Sequence, residues 1–146
     1  MTGLQRLARH RSVGLDSNVF VYLFETAGPE ADAAAAVVDA LSSHAVTFAS
    51  IGVVEVLGGP ARAGDQALME RYLDEIRSMD GLRIVPLDDD IAFRSALERA
   101  HGRVTLGDAI HLATARSGGA TAFVTNDNRL RSSSGLEIIQ LSAFAA

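Results

Sequence analysis

The order of its apolar segments is what most constrains the fold of this chain. Short β-prone runs recur along the sequence, separated by stretches that read as helix. Residues 13–15, 45–49 (AVTFA), 82–87 (LRIVPL), 122–125 (AFVT) and 137–141 (EIIQL) read as strands. Residues 17–25 read as a helix with Asp16 or Ser17 as its cap, and Gly28-Pro29-Glu30 opens a second helix running to about Ser43. Ser50 is expected to cap a short helix over 51–57 that stops at Gly58-Gly59-Pro60. Residues 64–79 place Leu68, Tyr72, Ile76 and Met79 at helical spacing. Further helices are predicted over 88–101 and from Thr105 to about Arg116. Strands separated by helices are joined by crossovers, which predicts an α/β fold around a mainly parallel sheet. The 146 residues suit one domain. In such sheets the functional crevice lies beyond the carboxyl ends of the strands, so polar residues just after strands carry the most information.

Four acids occupy such places. Asp16 follows the first strand, Glu55 lies in the helix after the second, Asp108 opens the helix before the fourth, and Asp127 comes just after the fourth. Each has an ordinary structural reading. Asp16 suits a helix N-cap, Asp108 a capping box with Thr105, and Asp127 an Asx-rich turn. Glu55 fits such a reading least well. It stands within Ile51-Gly52-Val53-Val54-Glu55-Val56-Leu57, where a buried carboxylate needs a cation, unless it points to solvent from one exposed helix face. Acids converging on one crevice would raise each other's pKa values, and divalent cations relieve that repulsion. An all-oxygen set suits Mg²⁺ or Mn²⁺, which activate water and stabilise phosphoryl charge.

Composition removes rival chemistries. All 13 basic residues are arginine. Without lysine there is no phosphate-binding P-loop lysine and no Schiff base; without cysteine there is no thiol nucleophile, disulfide or Cys-ligated metal. A receiver domain normally uses a lysine near its phosphoacceptor. A haloacid-dehalogenase-like phosphatase needs lysine and a second aspartate where this chain has Asn18. The formal charge of −5 argues at first against nucleic acid. Setting aside the four candidate acids leaves 13 bases against 14 acids, or −1. No apolar stretch approaches the roughly 20 residues of a membrane span, and a soluble, cytoplasmic protein is expected.

The segments VGLDSNVFVYLFE, ASIGVVEVLGG, LGDAIHLATA and AFVTNDNRL resemble, in order and spacing, the successive motifs of PIN-domain ribonucleases, most closely the VapC-type toxins of toxin–antitoxin pairs. The resemblance runs from about Val13 to Leu141. It implies a three-layer α/β/α sandwich in which Asp16, Glu55, Asp108 and Asp127 hold Mg²⁺ or Mn²⁺ for RNA cleavage, supported by Asn18 and Thr125. It also implies an antitoxin whose C-terminal segment covers the site, and a homodimer. On this reading a water activated by the cation attacks phosphorus in line, giving 5′-phosphate and 3′-hydroxyl ends. The alternative is a degenerate PIN-like domain that only binds protein or RNA.

His111 lies one helical turn after Asp108 and is expected to pack beside Leu112 and Ala115 rather than to touch the site. Asp88-Asp89-Asp90 reads as a solvated helix start. Arg129, Arg62 and Arg103 flank the acid-bearing segments and are the candidates for phosphate contact. Residues 1–11, with Arg6, Arg9 and Arg11, are expected to form a flexible or loosely packed arm.

Overall fold

The computed structural model describes residues 1–145. Among these, five strands form one sheet: β1 (Ser12–Leu15), β2 (Ala45–Ala49), β3 (Leu82–Val85), β4 (Ala122–Thr125) and β5 (Glu137–Gln140). The spatial order is β3-β2-β1-β4-β5 and every ladder is parallel. Val13 pairs with Val46 on one side and Ala122 on the other, so β1 is central. The chain builds outward from β1 through β2 to β3, then returns to lay β4 and β5 on the opposite side. That reversal puts a topological switch point between the carboxyl ends of β1 and β4.

Seven α-helices accompany the described strands: α1 (Gly3–Leu7), α2 (Ser17–Glu25), α3 (Pro29–Ala40), α4 (Ser50–Arg62), α5 (Gln66–Arg77), α6 (Asp89–Gly102) and α7 (Leu106–Ser117). Strand residues alternate between two helical layers, as the pleat dictates. Val13, Leu15, Ala122, Val124 and Ile139 join a core with Val19 and Phe20 of α2 and Ala34 and Val37 of α3. Phe123 and Ile138 turn the other way, onto Leu112 and Ala115 of α7. Gly14 lets α7 approach β1 closely, since a Cβ there would lie 2.6 Å from the Ala115 Cβ. The result is the expected α/β/α arrangement. No helix of the described residues is long and apolar enough to cross a membrane.

Two local expectations are corrected. α4 does not stop at Gly58-Gly59-Pro60 but runs through it to Arg62, and its N-cap is Ala49 rather than Ser50. Pro60 is buried, and packing of α4 against α2, α5 and α7 outweighs the poor helix propensity of the Gly-Gly-Pro sequence. The N-terminal segment, expected to be a loose arm, carries a docked helix. Thr2 and Gln5 form a reciprocal capping box on α1, Leu7 is buried, and the Arg6 Nε donates to Glu137 Oε2 at 2.9 Å. His10 adds a contact to Glu137 Oε1 at 2.8 Å.

Candidate active site

Asp16 leaves the end of β1 and caps α2, which fixes its carboxylate over the switch point. The residue is 5% exposed. Its Oδ1 accepts from the Ser17 backbone N–H at 2.8 Å, and its Oδ2 accepts from the Thr125 hydroxyl at 2.7 Å. Burial pushes the Asp16 carboxyl above its ordinary value. His111 and the Thr125 hydrogen bond oppose that rise, and the charges of Asp108 and Glu55 add to it.

Thr125, the last residue of β4, joins the two strand ends. It is fully buried, and its Oγ1 also accepts from the Asp127 backbone N–H at 3.0 Å. The Asn18 amide donates to both Asp16 Oδ2 and Thr125 Oγ1 at 3.4 Å, while its carbonyl accepts from the Asn126 backbone N–H at 3.1 Å. Asn18 and Thr125 therefore both hydrogen-bond the Asp16 carboxylate.

Asp127 points at Arg129. The Arg129 Nε and Nη2 donate to Asp127 Oδ1 and Oδ2 at 2.9 and 2.7 Å, and the Arg129 backbone N–H adds a third bond. These hydrogen bonds hold the Asp127 carboxyl below its ordinary value. The same guanidinium lies 3.9 Å from Asp108 Oδ2. Thr105 accepts from the Asp108 backbone N–H, so the cap expected there exists, but the Asp108 carboxylate faces Arg129. Arg129 is 75% exposed at its side chain, so little packing restrains it. Arg103, in a left-handed conformation after α6, lines a small cleft with Thr105, Asp108 and Arg129. Arg62 closes α4, two turns beyond Glu55, and is exposed.

Glu55 and His111 differ most from expectation. Glu55 is not a buried carboxylate: its side chain is 46% exposed on α4. The buried member is His111, 3% exposed, which reaches out from α7. Its Nε2 lies 2.6 Å from Glu55 Oε1 and 3.8 Å from Asp16 Oδ1. Burial alone would lower the His111 pKa, but the Glu55 hydrogen bond and the charges of Asp16, Glu55 and Asp108 raise it overall. The same hydrogen bond holds the Glu55 carboxyl below its ordinary value against the effect of burial. The sequence signal for His111 was its position three residues after Asp108, one turn along the helix.

The four acids thus meet through two bridges, Asp16–His111–Glu55 and Asp108–Arg129–Asp127, joined by Thr125. Carboxylate, hydroxyl and amide oxygens are hard donors, and an aspartate raised chiefly by burial, with Asp108 and Glu55 adding to the rise, is what a divalent cation would relieve. Among the described residues no three His, Asp or Glu side chains surround a common point as a finished metal cage. Glu55 and Asp127 are turned to His111 and Arg129. The residues fit a hard divalent cation in their chemistry, and Asp127 would join in holding one only by leaving its exposed arginine partner.

The PIN domain family model matches residues 13–135, a span that contains all four acids. The chain belongs to the PIN domain family. Solved PIN-fold structures share its architecture at low identity. VapBC2 from Rickettsia felis, bound to a DNA fragment from its promoter, aligns with a TM-score of 0.70 at 18% identity, over 88% of this chain and 98% of that one. A toxin–antitoxin complex from Klebsiella pneumoniae gives 0.63 at 24%, over 85% and 94%. VapC20 from Mycobacterium tuberculosis, described as a sarcin–ricin loop cleaving toxin, gives 0.60 at 15%, over 76% and 86%. No curated protein matches the chain. These likenesses establish the PIN fold, and the order of its elements accounts for the convergence of acids distant in sequence.

Proposed function

We propose that this PIN-domain chain is a Mg²⁺- or Mn²⁺-dependent endoribonuclease and the toxin of a toxin–antitoxin pair. The observation that carries the reading is the placement of Asp16: a buried carboxylate at the β1/β4 switch point, braced by Thr125, with Glu55, Asp108 and Asp127 tied into the same network. Membership of the PIN family and the toxin–antitoxin identity of the Klebsiella relative support the same direction.

Asp16, Glu55, Asp108 and Asp127 would hold the cation. When bound, a divalent cation supplies Lewis acidity toward a phosphodiester and toward water. The chain's own groups do the rest. Thr125 and the Ser17 N–H fix the Asp16 carboxylate, and Asn18 braces Thr125. Arg129 and Arg103, beside Asp108, offer guanidinium groups to RNA phosphates, while Arg62 stands at the far end of α4. With so few bases, RNA affinity is expected to be modest and concentrated near the acids. A small antitoxin protein would mask the acids, and the toxin would act as a homodimer.

One observation favours the second reading, a catalytically weak binding module: Glu55 and Asp127 are already engaged by His111 and Arg129. Incubating the purified chain with structured and single-stranded RNA separates the two. The nuclease reading expects fragments with 5′-phosphate and 3′-hydroxyl ends that depend on Mg²⁺ or Mn²⁺. RNA bound but uncut under those conditions favours the binding module.

A further inference from the structure

We infer that His111 is the positioning residue for Glu55, holding that carboxylate at the cation site from inside the core. The inference rests on the divalent-cation reading above. Glu55 sits on the open side of α4, next to Val54, which is 72% exposed. Left alone, a glutamate there would spread over many rotamers, and ordering it on cation binding would cost affinity. His111 removes that freedom. Its ring is fixed between Phe48 and Phe123, with centroid separations of 6.2 and 6.3 Å. Gly52 closes the pocket: a Cβ there would stand 3.0 Å from the His111 Cε1 and 2.4 Å from the Phe48 Cζ. The ring therefore has little room to turn.

The direction of the hydrogen bond follows from the surroundings. His111 Nδ1 is buried with no partner, so a proton there alone would be an unsatisfied donor and would leave a lone pair facing the carboxylate. Nε2 carries the proton in the remaining neutral tautomer and in the charged ring alike, so the Nε2–H donates to Glu55 Oε1 in either state. That leaves Oε2 for a cation. Oε2 lies toward the first turn of α7, where a Cβ on Gly107 would be 3.6 Å from it, one residue before Asp108. Hydrogen-bonded supports of this kind are worth about 10- to 100-fold in metal affinity.

The test is Mn²⁺ binding to the whole chain, followed by electron paramagnetic resonance titration at one fixed pH. His111→Phe keeps a ring between Phe48 and Phe123 and removes the donor; His111→Leu serves if the Phe variant does not fold. His111→Gln keeps an N–H donor. The expected result is a loss of about tenfold or more in Mn²⁺ affinity for His111→Phe, with recovery of most of it in His111→Gln. Glu55→Gln should lose as much, and adding His111→Phe to it should cost nothing further. Equal or tighter Mn²⁺ binding by His111→Phe overturns the inference, as does a His111→Gln variant as weak as the Phe variant. A wild-type chain that binds no Mn²⁺ overturns the cation reading itself, and this inference with it.

Discussion

The Thr125 hydroxyl donates to Asp16 Oδ2 at 2.7 Å, joining residues 109 positions apart at the carboxyl ends of adjacent parallel strands. Both are buried, so the bond is made away from competing water. Thr125→Val should keep the shape and remove the donor. Since the Thr125 bond lowers the Asp16 pKa, its loss raises that pKa further. The expected cost is about 1–3 kcal/mol in denaturant unfolding, with RNA cleavage reduced at least tenfold.

Asp16→Asn separates stability from activity. The wild-type carboxyl has a raised pKa because burial disfavours its charge, so its ionisation at neutral pH opposes folding. The amide carries no charge; its single oxygen still accepts from the Ser17 N–H, and its NH₂ faces the Thr125 hydroxyl oxygen, to which it can donate. The variant should melt at or above the wild-type temperature while losing all detectable cleavage. Thermal melting beside a gel-based RNA assay reads both.

Arg129→Ala should leave folding unchanged, because the side chain is mostly exposed. It should weaken RNA binding several-fold at low salt. It should also reduce the slope of log affinity against log salt by about one, the signature of one lost phosphate contact. An unchanged salt slope would remove Arg129 from the RNA interface.

The docking of the N-terminal helix should depend on pH through Glu137. Burial would raise that carboxyl, but hydrogen bonds from His10 and Arg6 more than offset it and leave its pKa lowered. A lowered carboxylate stabilises the fold fully above the ordinary glutamate value of 4.5 and loses that contribution as pH falls through its folded value. Glu137→Gln is therefore expected to cost about 1 kcal/mol at pH 7, and the difference from wild type should shrink toward zero in strong acid. Parallel denaturant titrations at the two pH values measure it.

Gly52→Ala tests the packing behind His111. Its Cβ would press on the Phe48 ring at 2.4 Å, which predicts a loss of about 1–3 kcal/mol from overpacking. Cation affinity should fall with it as the imidazole is displaced, a joint effect visible by combining melting with Mn²⁺ titration.

Much of this arrangement was legible in the chain. The strand segments are contiguous and apolar, so periodicity locates β1, β2, β4 and β5 closely. The acids follow strands or open helices, where parallel topology gathers residues on one rim. What escaped reading depends on long-range partners. Residues 3–7 form a docked helix because Arg6 meets Glu137, 131 positions away, and Leu7 enters the core. Glu55 stays half-exposed because a hydrophobic neighbourhood in sequence does not say which face of a helix meets the sheet, and His111, buried as expected, reaches Glu55 across the gap between α7 and α4. The Gly58-Gly59-Pro60 stop signal is local, and tertiary burial of Pro60 overrides it.

The most direct measurement is RNA cleavage by the metal-stripped chain in EDTA, then after addition of excess Mn²⁺, with Asp16→Asn run alongside. The proposed nuclease is silent in EDTA, cuts on Mn²⁺ addition, and stays silent in the variant under both conditions. Cleavage that persists in EDTA, or that Asp16→Asn retains, contradicts the account.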